Sequence, residues 1–458
     1  MSLFSLSFFV FFIVVIILLR FAPSARRQAI IIMVASMLFY AAWDWRFLAI
    51  IVADIVAIYL AGIKCRESKV AYYTGCSIPL LFLCVCKYLN FFIDNFCLLV
   101  GTDSSWSIQI ILPLGISFYS FLAISYVADV RNGKLDAMKD IIPLAAYILF
   151  FPCLMSGPIT KARDMVGQFQ EYHPIEFSNL QIGAQLFVVG CLKKYVLADN
   201  LGVFVDEVYR TPLAFDSVTV WLAVVSFSLQ LYFDFSGYSD MAIGCGRAMG
   251  YKLSENFNMP YLSRSISEFW KRWHISLSSW IMEYCYIPLG GNRCTEWKVY
   301  RNLLLTMIIC GIWHGAAWTF VLWGGIHGVL LCFHKYYKNT FGAKINTPDA
   351  IKIPLTFLLV TFCWIFFRGD NLSNIGQIFS KLILCDSIGV NHMYIYSFVS
   401  LALLLASIVY SIWKNNWQGY QMIVDISQPK GLFIFSLEIL LLWSLMYTGN
   451  NPFSYAAF

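Results

Sequence analysis

The sequence predicts an all-α polytopic membrane protein with 11 to 13 membrane helices, and three observations predict it. Of the 458 residues, 59% are hydrophobic and only 13% are charged, whereas soluble domains carry about 25% charged residues. The mean hydropathy is +0.68, an apolar surplus too large for one core, so lipid is the solvent for much of the chain. Finally, the basic residues gather in short loops between apolar runs, as a positive-inside signal requires. The net charge of +6 therefore gives no reason to expect a nucleic-acid partner.

The first run, "MSLFSLSFFVFFIVVIILLR", has no basic n-region and no small-residue cleavage site before Arg20, so it reads as an uncleaved span over 3–19. Further apolar runs lie at 28–43, 47–63, 70–86, 108–128, 141–155, 181–197, 218–240, 303–320, 321–333, 352–367, 393–413 and 431–448. Several fall near or below the roughly 20 residues that cross the hydrocarbon. Some are therefore tilted, re-entrant or buried among neighbours, and 321–333 reads as a span or as a continuation of its predecessor. Arg20, Arg26, Arg27, Lys64, Arg66, Lys69, Arg131, Lys134 and Lys139 follow alternate spans, whereas "DNFCLLVGTDSSWS" carries acids and no base. This places the N-terminus outside and the basic loops in the cytoplasm. The whole of 1–458 reads as one integral membrane domain. Within it, 241–301, with eight Lys/Arg and four Glu, faces the cytoplasm, and 302–333 forms a membrane segment behind it. The 14 cysteines lie mostly in apolar runs and read as small hydrophobes. No Cys/His ligand spacing appears, so no metal is expected.

Chemistry concentrates in the last half. Ser265-Ile-Ser-Glu268 is a capping box that starts an expected amphipathic helix over 265–281, with Phe269, Trp270, Trp273, Leu277 and Trp280 on one face. Such a helix suits an interfacial anchor as well as a cavity wall. In "YIPLGGNR" (286–293), Pro288 and Gly290-Gly291 impose a turn. Arg293, with Arg272 and Lys298, suits either phosphate binding or snorkelling. The run "QLYFDFSGYSDMAIG" (230–244) ends an apolar span with Gln230, Asp234, Ser236, Ser239 and Asp240. Such groups face a wet cavity or partner, or sit at the interface. His314 is the sharpest signal: it stands in "IICGIWHGAAWTF" with no adjacent counter-ion, where a neutral imidazole suits a general base or a structural hydrogen bond. His274 before it and His327 after it favour the chemical reading, and no nucleophile motif such as G-x-S-x-G accompanies them.

These stretches, together with "LPLGISFYSF" (112–121), "FPCLMSGPI" (151–159), "ENFNMPY" (255–261), "GIWHGAAWTFVLWGGIHG" (311–328) and "NPFSYAAF" (451–458), resemble the membrane-bound O-acyltransferase family, most closely its bacterial alginate O-acetylation branch. The resemblance implies an MBOAT-type helical fold around a buried tunnel, with short amphipathic and re-entrant helices. It also implies acyl transfer from a cytoplasmic thioester to an outside acceptor. The family's catalytic histidine matches His314, and its second functional histidine, in an R-W-H-x-S motif, matches His274. "YIPLGGNR" resembles the polysaccharide-acetylating branch, which favours acetyl-CoA over a carrier-protein thioester. "DVRNGKL" departs from the family pattern at a place with no catalytic role.

The expected function is O-acetylation of an extracytoplasmic polysaccharide in the bacterial inner membrane. Acetyl-CoA is the donor substrate, no cofactor is permanently bound, and an extracytoplasmic, hydrolase-like acetyltransferase is the partner. D-alanyl or other acyl transfer to a cell-wall polymer is the alternative, and a transporter of lipid-linked glycan is the rival from another class. Catalysis is assigned to His314 and His274. Donor or substrate binding is assigned to Arg272, Trp273, Arg293, Asn292, Gln230, Asp234, Ser236 and Trp313. Trp313 and Trp318 are expected to flank a narrow neck, with Gly311, Gly315, Gly324 and Gly325 letting helices close around it.

Overall fold

A computed structural model describes residues 3–102, 108, 110–341, 347–414 and 424–449. Among these residues the regular elements are helical, and the β-type pairing present is an isolated bridge between Phe215 and Val390. Among the described residues, four stretches, Ala25–Lys64, Lys69–Val100, Ser217–Ala248 and Asp349–Arg368, are long and apolar enough to cross a membrane. The chain divides into two compact units, Met1–Phe187 with Ser239–Ser254, and Val188–Tyr238 with Glu255–Phe458.

The first unit contains α1 (Leu6–Phe21), α2 (Ala25–Asp44), α3 (Leu48–Lys64), α4 (Lys69–Leu83), α5 (Leu89–Val100), α6 (Ile116–Arg131), α7 (Ile141–Leu149), the single turn α8 (Ala162–Met165) and most of α9 (Phe177–Cys191). Ser5, Ser24, Ser68 and Asp140 start α1, α2, α4 and α7, each side chain accepting a backbone N–H from the first turn. The rings of Phe8, Phe39 and Phe151 meet at 5.7–6.3 Å between centroids. On the other side of α1, Val10, Ile13, Val14 and Ile17 are exposed, as lipid-facing residues are. The outer loop expected from Asp94 is instead helical as far as Val100, where Gly101 ends α5 at φ +73°. Asn95, a loop signal by composition, returns its side-chain N–H to the Phe91 carbonyl and so stays within the helix. Asp103, Ser104 and the 451–458 motif lie outside the described residues.

The second unit contains α10 (Asp199–Arg210), most of α11 (Ser217–Ala248), α12 (Ile266–Arg272), α13 (Ile275–Ile281), α14 (Glu296–His314), α15 (Trp318–Phe341), α16 (Asp349–Arg368), α17 (Leu372–Leu384), α18 (Ile395–Lys414) and α19 (Pro429–Leu445). The sequence pattern missed α10 and α17 because polar residues alternate with their apolar ones. Each buries one face only, through Leu201, Phe204, Val205 and Val208 or through Ile375, Ile378 and Leu382.

Two expectations need correction. The run 321–333 does not continue its predecessor: α15 is a separate helix antiparallel to α14. A Cβ on Gly324 would meet the Met307 carbonyl oxygen at 2.3 Å, and one on Gly311 would meet that of Phe320 at 2.2 Å. Backbone approaches backbone there, so no side chain fits. Gly315 is similarly filled by the Phe320 ring, but Gly325 has nothing within 4 Å and takes no part. Nor is 265–281 one helix. Ser265 does cap α12, accepting the Glu268 N–H at 3.2 Å, but the chain breaks at Trp273 and His274 before α13 begins. The extended segment 256–258 supplies the reason: Asn258 N–H donates to the Arg272 carbonyl, and Ile275 N–H to that of Asn256, both at 2.9 Å.

Candidate active site around two histidines

The break at 273–274 positions His274. Its backbone is left-handed, φ 42° and ψ 54°, an uncommon state for a residue with a Cβ and one that clusters at functional sites. The ring is fully buried, and its Nδ1 lies 2.9 Å from Asn256 Oδ1. The same oxygen accepts the Ser276 hydroxyl at 2.8 Å. An amide oxygen only accepts, so His274 Nδ1 carries the proton and Nε2 holds the lone pair. The Phe235 ring packs edge-on at 4.5 Å and orients the imidazole.

His314 is the last residue of α14, about 27 Å along the helix axis from Glu296 at 1.5 Å per residue. It is buried in aromatic surroundings, with the rings of Trp313, Trp323 and Phe367 at 4.8, 5.1 and 5.2 Å. Trp313 also lies 6.3 Å from His274. The two imidazoles assigned to catalysis, distant in sequence, therefore share one tryptophan neighbour.

A cavity of about 660 Å³, in the size range of small-molecule sites, is lined by Ile275 and Cys310, close in sequence to the two histidines, though neither imidazole lines it. Its walls include Trp270, Lys271, Asn292, His334, Lys335, Lys338 and Cys310. Cys310 stands one helical turn before His314 on the same face of α14. The turn at 286–293, with Gly290 at φ 111° and Gly291 at φ 52°, is held to α14 by the buried Asn302, whose side-chain N–H reaches the Leu289 carbonyl at 3.0 Å. Asn292 Oδ1 accepts from Tyr286 at 2.8 Å and from Lys335 at 3.3 Å.

Other residues singled out in the sequence lie elsewhere. Arg272 is taken up by Glu268 at 2.9 Å and by the Asn258 carbonyl, and Arg293 is exposed; neither lines the cavity. Trp273 is buried against Trp364 and Phe257, both at 5.0 Å. Trp318, expected to flank the neck, is 57% exposed. Gln230, Asp234 and Ser236 are buried mid-helix in α11 rather than at a span end. Asp234 pairs with Lys194, which also holds Asp199 at 2.8 Å.

Sequence reasoning assigned no role to Asn256, Trp270, Trp323 or the lysines at the end of α15. Lys335 and Lys338, three apart after an apolar run, look like any snorkelling helix end, and only the fold turns them onto a cavity.

This architecture defines a membrane enzyme with a buried imidazole pair, and comparison with known proteins identifies the class. The family model for MBOAT, the membrane-bound O-acyltransferase family, matches residues 85–369, and the chain belongs to that family. Its relatives include "Probable alginate O-acetylase AlgI" of Azotobacter vinelandii, 39% identical over 362 residues, covering 76% of this chain and 71% of the relative. The "Peptidoglycan O-acetyltransferase" of Helicobacter pylori is 34% identical over 394 residues, covering 79% and 75%. The "Teichoic acid D-alanyltransferase" of Bacillus subtilis is 30% identical over 273 residues, covering 56% and 68%. The protein is thus a multi-pass membrane acyltransferase.

Proposed function

We propose that the enzyme takes an acetyl group from cytoplasmic acetyl-CoA and delivers it toward an extracytoplasmic polysaccharide. A hydrolase-like partner outside completes the esterification. The observation that carries this reading is the cavity, whose Lys271, Lys335 and Lys338 line one end of a path that reaches Cys310, a single turn from His314. None of the three lysines is within 4 Å of a carboxylate among the described residues. Their positive charge favours a polyanion such as the phosphates of coenzyme A. The names of the relatives with higher coverage favour acetyl over D-alanyl as the transferred group.

In this reading His314 removes the proton from the acceptor hydroxyl as its oxygen attacks the thioester carbon. A C–O bond forms, the C–S bond breaks, and the imidazolium returns the proton to the departing coenzyme A thiolate. His274, its tautomer fixed by Asn256, offers Nε2 as a second proton acceptor.

Sealed, oriented vesicles test the proposal. Labelled acetyl-CoA is supplied at the cytoplasmic face only, with acceptor and partner outside. Label on the outer acceptor, absent in His314→Ala, supports it. Transfer that requires donor and acceptor on the same face overturns it.

A further inference from the structure

Two buried N–H groups, one on a ring that touches His314 and one on the next ring along, have no acceptor among the described residues. Trp270 lines the cavity, and its indole Nε1–H points to His327 Nδ1 at 3.3 Å. An indole N–H can only donate, so His327 Nδ1 accepts and the ring is neutral with its proton on Nε2. His327 Nε2 is fully buried and bonds to nothing among the described residues. Trp323, one turn earlier on the same face of α15, presents a second such donor, its Nε1–H buried without an acceptor. The Trp323 ring touches both imidazoles, His327 at 4.9 Å and His314 at 5.1 Å. Protein interiors satisfy nearly all buried donors, and these two, four residues apart on α15 and behind the cavity wall formed by Trp270, leave room for an acceptor oxygen that the described residues do not supply.

We propose that Trp323 Nε1–H and His327 Nε2–H are the donors for the acyl oxygen of the bound thioester. The inference rests on the acetyl-CoA reading above and adds to it the groups that stabilise the transition state. When the acceptor oxygen attacks, the carbonyl π electrons move onto that oxygen. The two fixed N–H groups receive the negative charge in a water-poor site. The charge returns to re-form the carbonyl as the C–S bond breaks. Trp270 is then a positioning residue: by donating to Nδ1 it keeps the His327 proton on Nε2.

The test compares Trp323→Phe, which keeps an aromatic ring without the N–H, with His327→Met and His327→Gln; Gln retains a side-chain N–H near the Nε2 position. Loss of one such donor lowers kcat by about 10²- to 10³-fold. Trp323→Phe and His327→Met are expected to fall in that range with KM for acetyl-CoA within about twofold of wild type, and His327→Gln to recover part of the loss. Unchanged kcat, or a loss confined to KM, overturns the proposal.

A measurement on the wild type alone guards against variants that fail to fold. Acetonyl-dethia-coenzyme A, which keeps the carbonyl oxygen, is expected to inhibit at least tenfold more tightly than S-ethyl-coenzyme A, which lacks it. Equal inhibition overturns the donor pair while leaving the acetyl-CoA reading intact. A wild type that neither binds nor turns over coenzyme A thioesters overturns both.

Discussion

Two groups of charges in the second unit are built on opposite terms. Lys194 lies between Asp199 and Asp234, all three withdrawn from solvent and closed on one another. Lys271 and Lys338, both exposed, and the half-buried Lys335 line a common cavity with no carboxylate in ion-pair range among the described residues, although Lys335 acts electrostatically on Glu296. A charge withdrawn from solvent must be matched from within, whereas an exposed one is matched by water until a ligand takes its place. The first group is matched from within and therefore serves the fold, although its Asp234 stood among the binding residues expected from sequence. The second leaves its partner to arrive from outside. In the proposed reading, charge that the protein leaves without an ion-pair partner, rather than burial as such, marks the place for the donor.

The contrast can be broken by substitution. His314→Ala is expected to lower acyl transfer by about 10²- to 10⁴-fold, the usual contribution of a general base, while the protein remains inserted and monodisperse. Near-normal transfer by the purified variant would reduce His314 to a structural group.

Lys194→Met leaves two carboxylates buried without their cation. Breaking such a pair costs about 3–5 kcal/mol, so the variant is expected to lose yield and thermal stability in detergent. Its KM for acetyl-CoA, measured on whatever folds, should not move. A stable variant with weakened donor binding would reverse the division between the two groups.

Lys335→Gln or Lys338→Gln is expected to do the opposite. Each loses about 1.5 kcal/mol of charged hydrogen bonding, so KM for acetyl-CoA rises about tenfold with stability unchanged. The effect should shrink as salt screens the wild-type cavity. A KM that is insensitive to both substitution and salt would mean that these lysines are only helix-end anchors.

The smallest effect concerns Glu268, bonded by Arg264 at 3.1 Å and by Arg272 at 2.9 Å. Burial alone would raise its pKa, but the hydrogen bonds from the two arginines hold the carboxyl below its ordinary value. A lowered folded-state pKa adds stability above the unfolded value of about 4.3, and that stability is lost as pH falls through the folded one. Glu268→Gln should therefore cost on the order of 1 kcal/mol near pH 7, and the gap to wild type should close on acidification. A gap that persists at low pH would assign the effect to packing.

Much of this was legible in the chain. Apolar runs marked the long helices because lipid demands uninterrupted apolar length. The capping box located Ser265 and the start of α12. Gly311 and Gly324 announced a close helix contact before any partner was visible. Helices that are apolar on one face only, α10 and α17, escaped notice because that face has meaning only against a neighbour.

By itself the sequence determined the solvent, the helical class and the family and pointed to two candidate histidines, since each is written in composition or in a contiguous motif. Only the tertiary structure decided that the helix breaks at His274, because the bond that orients its ring comes from Asn256, 18 residues away. It also directed Asp234 to Lys194, Arg272 to Glu268 and the lysines of α15 to the cavity. A charged side chain reads the same in sequence whether it is matched or not; what distinguishes the two is whether folding brings an opposite charge within a few ångströms.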